Sequence, residues 1–185
     1  RTVAVGYMKR HEANIAALKK IQSENDWGNL LFVRSHSFIG SHWNAAINDL
    51  HGVVSSAAAP GFDPGSLDPA PAWLKGGRDS KFYSFDNPYY GLLDTGCHSI
   101  NLLRHLVGKE PDVLSAKNVG GVRLVGFDFE GVPGMMEFCV NFAMHRWDEV
   151  TELYFQKASV VIKTPPPLDM QSSAQVEIYS EDRAL

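Results

Sequence analysis

From Asp112 onward the sequence is a succession of short β-forming runs separated by turn signals, and that texture limits the fold more than any other feature. VLSAKNVGGVRLV (113–125), the run 135–143, EVTELYFQ (149–156) and ASVVIKT (158–164) are rich in β-branched and aromatic residues. Gly120-Gly121, EGVPG (130–134) and Lys157-Ala158 punctuate them. Connections this short join antiparallel strands, because a parallel pair needs a crossover of a dozen or more residues. An antiparallel meander is therefore expected.

The first half supplies other elements. Residues 2–8, with small and β-branched side chains, read as a strand. HEANIAALKKIQSEN (11–25) places Ile15, Ala17, Leu18 and Ile21 at helical spacing, and Asn25-Asp26 with Gly28 ends the pattern. LLFVRSHSFIG (30–40) alternates like a half-buried strand. Residues 52–88 hold five of the ten prolines and keep no period. A structureless stretch this long is either disordered or functional, and its scattered aromatics favour a loop that packs over something. LLDTGCHSINLLRHLVG (92–108) is a second helix, closed by Gly108 with Pro111 beyond it. Early helices followed by a run of strands give an α+β fold: an open, predominantly antiparallel β-sheet with helices packed on one face. The other face must meet water or a partner.

A chain of 185 residues is one domain's worth, with an ordinary soluble composition of 44% hydrophobic and 21% charged residues. Its net charge of -4 and pI near 6.0 exclude the basic footprint that nucleic acid requires. No apolar run approaches the roughly 20 residues of a membrane-spanning helix. The two cysteines, Cys97 and Cys139, form no metal or disulfide motif and suit a reducing, cytoplasmic setting. The chain enters an apolar stretch directly after Arg1 and stops at YSEDRAL, as a piece of a longer protein would.

The second helix carries the chemistry. Asp94, His98, Asn101 and His105 step by four, three and four, forming one polar stripe. The residues opposite, Leu93, Cys97, Ile100, Leu103 and Val107, are expected to be the buried side. A solvated stripe would be rich in Lys and Glu, whereas here Arg104 is the helix's one permanent cation. The pattern alone leaves three readings open. Asp94 can be a cap and the histidines structural; a carboxylate one turn from an imidazole can make a general acid or base; and Asp with His at i, i+4 can share a metal, although no strong third ligand lies nearby. His36 and His42 read as structural.

The helix resembles a signature of the glucose-fructose oxidoreductase, inositol dehydrogenase and MocA (Gfo/Idh/MocA) family of NAD(P)-dependent oxidoreductases. In that signature Gly91, Asp94 and His98 match, while Asn101 stands where a second acid is common. VGYMKRH (5–11) is similar to the strand that opens the family's C-terminal domain, with Tyr7 and Arg10 matching, and ELYFQKASVVIKTPPPL (152–168) to a later strand pair. The resemblance implies a C-terminal substrate-binding and oligomerisation domain, spanning 1–185, whose Rossmann domain and Glu-Lys-Pro lysine lie upstream. The chain contains no G-x-G-x-x-G, and Lys9 is not that lysine. Implied roles are catalysis for Asp94 and His98, and substrate binding for Asn101, Arg10 and Tyr90, with His105 structural or interfacial. The cofactor implied is NAD or NADP, the substrate a sugar or polyol, and the assembly a homodimer or tetramer through the open sheet face. A non-catalytic scaffold or sensor built on the same fold is the alternative.

Overall fold

The computed structural model describes residues 6–40, 95–141, 146–166 and 172–181, together with the backbone of 183–184. A 3₁₀ turn (Met8–His11) leads into α1 (Ala13–Glu24) and then β1 (Leu30–Ile39). After α2 (Cys97–Val107) come β2 (Asp112–Val119), β3 (Val122–Asp128) and β4 (Pro133–Val140). The chain ends through β5 (Trp147–Phe155), β6 (Ala158–Lys163), β7 (Gln175–Ser180) and the two-residue β8 (Arg183–Ala184). The strand expected over 2–8 is not formed in its described part: Gly6 and Tyr7 belong to no element, and Met8 already starts the turn. The 52–88 loop, Asp94, Tyr90, Gly91 and His42 lie outside the described residues.

Among the described residues eight strands form a single sheet in the order β2-β3-β4-β1-β5-β6-β7-β8. Two antiparallel meanders, β2-β3-β4 and β5-β6-β7-β8, are present, and the continuous meander expected from sequence is not. β1 sits between them, antiparallel to β5 but parallel to β4, with Ser35 opposite Met136 and Thr151. The chain between β1 and β4 carries α2 and the first hairpin, which is crossover enough for a parallel pair. At the β2–β3 turn Gly120 and Gly121 have φ of 58° and 87°, the left-handed pair of a type I′ hairpin. β2 is exposed along its whole length. Strand β7, whose polar residues hid its alternation, was absent from the sequence-based expectation.

Alternation assigns the two sheet faces. Val33, Ser35, Ser37 and Ile39 of β1 are buried, as are Met136 and Phe138 of β4, Leu153 of β5 and Val160 and Ile162 of β6. Both helices cover this face. The Ser37 hydroxyl meets Ser99 of α2 at 2.9 Å, and Leu18 and Ile21 of α1 border Val176 and Ile178 of β7. Ala17, expected in the apolar stripe of α1, is exposed. Among the described residues the helices thus cover one face of the sheet and leave the other open. Among the described residues no helix is long and apolar enough to cross a membrane.

The opposite face is a polar lattice centred on β1. Arg34 bonds Glu137 at 3.0 Å and Glu152 at 3.1 Å, and His36 bonds Glu137 at 2.9 Å while stacking on Phe38 at 4.5 Å. Burial pushes the Glu137 carboxyl upward, but the bonds from His36 and Arg34 outweigh it and hold the group below the ordinary carboxylate range.

Packing on the covered face is tight at Gly134, opposite Val33. A Cβ there would stand 2.8 Å from Phe129 Cε2 and 2.9 Å from Val33 Cγ2. Gly134→Ala is expected to lower unfolding free energy by about 1–3 kcal/mol, the usual effect of overpacking, measured by chemical denaturation.

Candidate functional site

α2 begins irregularly. Thr95 and Gly96 form a wide π-type turn before the α-helix proper, whose N-cap residue is Gly96. The far end closes as expected: Gly108 takes φ of 76° and its N–H donates to the Arg104 carbonyl at 2.9 Å. Lys19 of α1 adds a bond to the Leu106 carbonyl at 3.2 Å, the contact a helix C-terminus favours.

The side of α2 that meets the sheet differs from the expectation. Ser99, Leu102, Leu103 and Leu106 are fully buried, whereas Cys97, Ile100 and Val107 are only partly covered. The buried arc is rotated toward the polar stripe, because the helix rests on the sheet with one flank and against the Met8–His11 turn with another. Asn101 is itself 8% exposed. The polar stripe is thus buried at Asn101 and partly buried at His98 and His105.

The turn brings its residues to that stripe. The Tyr7 ring stands edge-on to His98 with centroids 5.7 Å apart. Farther along, Arg10, Asn101, Arg104 and His105 line a cleft of about 480 Å³ with Lys109 and Glu130. Two residues assigned to substrate binding by resemblance, Arg10 and Asn101, are thus brought together, and His98 lies one turn from Asn101. His105, read from sequence as structural or interfacial, lines the same cleft. Burial lowers its pKa, and so do the nearby charges of Arg10, Lys19 and His11. Asp94 and Tyr90 lie outside the described residues. Among the described residues no three His, Cys, Asp or Glu side chains gather as metal ligands would.

Beneath α2 lies a feature that sequence reasoning missed. Lys9 and Glu149, 4% and 3% exposed, form an ion pair inside the core. The Ser99 hydroxyl donates to Glu149 Oε1 at 3.0 Å, and the Trp147 indole N–H to Oε2 at 3.3 Å. With Ser37 on Ser99, the network ties the turn, α2, β1 and β5 together. A hint was present in the sequence: Glu149 is an inward position of an alternating strand, where an acid needs a partner. Arg104 and Lys109 were missed as cleft residues because they reach it only through the helix's C-terminal geometry.

No family model matches the sequence, and neither does any curated protein. Solved structures do. Levoglucosan dehydrogenase in complex with NADH is 19% identical with a TM-score of 0.58, the match covering 98% of this chain and 45% of that one. UDP-N-acetylglucosamine 3-dehydrogenase from Acidithiobacillus ferrooxidans is 15% identical with a TM-score of 0.56, covering 99% and 45%. A 3-ketoreductase from Actinomadura kijaniata, in complex with TDP-benzene and NADP, is 12% identical with a TM-score of 0.57, covering 97% and 44%. The chain spans less than half the length of each.

Breaking the buried pair tests how far the site depends on it. Glu149→Leu, which strands the Lys9 ammonium, is expected to cost about 3–5 kcal/mol. Lys9→Met with Glu149→Leu is expected to recover most of that loss in the same denaturation experiment. A single variant as stable as the parent would remove the pair from the framework.

At these identities the likeness is one of architecture, and the chain has the fold of the C-terminal domain of the glucose-fructose oxidoreductase, inositol dehydrogenase and MocA proteins.

Proposed function

We propose that the chain is the substrate-binding and oligomerisation domain, spanning 1–185, of an NAD- or NADP-dependent oxidoreductase that acts on a hydroxyl of a sugar or polyol. The observation that carries this reading is the polar flank of α2. His98 and Asn101 face the turn that bears Tyr7 and Arg10, on a fold whose neighbours include a levoglucosan dehydrogenase and a sugar-nucleotide dehydrogenase.

The residues of this chain do not fit the dinucleotide. Among the described residues α1 follows a 3₁₀ turn and not a glycine-rich turn after a strand, and the sequence has no G-x-G-x-x-G. The nicotinamide, which would accept or give the hydride, belongs in this reading to a domain preceding Arg1. What this chain does is hold the substrate and move a proton. His98 exchanges a proton with the reacting hydroxyl as its carbon changes oxidation state. Asn101 hydrogen-bonds a second hydroxyl, Asp94 orients the substrate or the upstream lysine, and Arg10 with Tyr90 lines the pocket. An amide in place of an acid at 101 keeps an acceptor, adds a donor and removes a charge.

The test uses the full-length protein with NAD+ or NADP+ and a panel of sugars and polyols. His98→Ala is expected to lower kcat by about 10²–10⁴-fold, the range of a lost acid–base group, with cofactor affinity unchanged. Unchanged kcat would remove His98 from the chemistry. Full-length protein that binds neither dinucleotide would favour the scaffold or sensor reading.

The lattice of Arg34, His36, Glu137 and Glu152 on the open face is where a second copy would pack. Its flanking Phe32, Phe38 and Tyr154 add apolar area to the polar ladder. Sedimentation is expected to show a dimer or tetramer, with Arg34→Glu shifting it toward monomer. A monomeric parent would end this assignment.

A further inference from the structure

The cleft at the C-terminal half of α2 carries more charge than recognition of a neutral polyol requires. Arg104 is neutralised by its ion pair with Glu110. Lys109 directs its ammonium to the Glu130 backbone carbonyl, 3.1 Å away, and not to a carboxylate. Arg10 is exposed and makes no ion pair or hydrogen bond among the described residues. Against these two uncompensated cations, Glu130 is the acid left on the rim.

Helix polarity explains part of this gathering. A helix C-terminus draws cations to its unpaired carbonyls, which accounts for Lys19 on Leu106 and for the position of Lys109. It does not account for Arg10, which reaches the cleft from a separate element. Nor does it account for Asn101, whose Oδ1 is buried with no hydrogen bond among the described residues. An unsatisfied buried acceptor is destabilising, and a ligand that donates to it recovers the loss.

We propose that this cleft is a subsite for a hydroxylated ligand bearing an anionic group, phosphate or carboxylate, in which Arg10 and Lys109 hold the anion and Asn101 accepts a hydroxyl. Arg10 supplies a planar fork suited to either group, and Lys109 a point charge. Burial lowers the His105 pKa, and the charges of Arg10, Lys19 and His11 act in the same direction. The groups facing His105 are those three, Arg104 on its own helix, and Lys109, Glu110 and Glu130 across the cleft. His98 and His105 are seven residues apart, about 10 Å along the helix axis. A substrate whose reacting hydroxyl lies at His98 therefore extends its far end to Arg10, so the anion is placed at the end of the molecule opposite the chemistry. That placement rests on the reading of α2 as the substrate-side helix; the anion site itself does not.

The experiment measures binding alone. Full-length protein without dinucleotide is titrated calorimetrically with glucose, glucose 6-phosphate, glucuronate and inorganic phosphate, while the His105 ring is followed by NMR. Glucose 6-phosphate or glucuronate is expected to bind about tenfold or more tightly than glucose, the scale of one charge-assisted contact. Lys109→Gln should erode that advantage and leave glucose affinity as it was, Arg10→Gln should weaken the charged ligands more than glucose, and Arg10→Lys should keep part of the advantage. Both side chains are at the surface, and circular dichroism confirms that each variant is folded. A bound anion should raise the His105 pKa, because it cancels the field that lowers it. Inorganic phosphate that binds as tightly as the sugar phosphate and moves His105 equally would support the anion site and make a free anion its source. Equal affinity for charged and neutral probes, or variants that bind as the parent does, would overturn the proposal. Because no turnover is measured, either result leaves the oxidoreductase reading to its own test.

Discussion

An ammonium and a carboxylate buried against one another hold this molecule in register. Lys9 and Glu149 come from opposite ends of the described chain and meet under α2. Such a pair is tenable in a low-dielectric interior only when its remaining hydrogen-bonding capacity is met. Ser99 and Trp147 meet it on the carboxylate side. The consequence for the site is geometric. With the Lys9 side chain anchored downward into the sheet, its neighbours at 7 and 10 are left to face the helix, one at His98 and the other in the cleft. The interaction that stabilises the turn also aims it.

The sheet reinforces this arrangement in an unusual way. Directly below α2 the central strands present Ser35, Ser37, Thr151 and Glu149, all buried, where aliphatic side chains would be ordinary. The aliphatic packing lies to either side, around Phe129, Met136 and Phe138 and around Leu153, Val160 and Ile162. Hydrogen bonds are directional and aliphatic contacts are not, so the helix rests on a polar seat that fixes its rotation and axial position. The same seat explains why the buried arc of α2 takes in Ser99 beside Leu102, Leu103 and Leu106.

Much of this was legible in the sequence, and the losses have identifiable causes. Helix α1, strand β1, the Gly120-Gly121 hairpin and the Gly108 stop are local patterns, and they appear where the local rules put them. The insertion of β1 between β4 and β5 is a long-range pairing with no local signature. The polar stripe was visible as a helical period, but its burial depends on a turn about ninety residues earlier in the chain. For the same reason Arg10 could be assigned to the site by resemblance, whereas its company in the cleft, Lys109 and Glu130, could not. Sequence identities of 12–19% with proteins of the same architecture point the same way: the fold tolerates wide substitution, and its chemistry rests on individual side chains.

The position of β1 has a consequence in time. Its covered face, Val33 to Ile39, has no sheet neighbour until β4 and β5 exist, and the first of these begins at Pro133. At ordinary elongation rates of 5–20 residues per second, that is an interval of roughly five to twenty seconds. During it a strand destined for the middle of the sheet has both edges unpaired. Ser35 and Ser37, the second of which seats α2 through Ser99, shorten the hydrophobic run this strand displays: they interrupt what would otherwise be an unbroken aliphatic face. Side chains that orient a helix in the finished domain are, while the ribosome is still working, the gatekeepers of a nascent one.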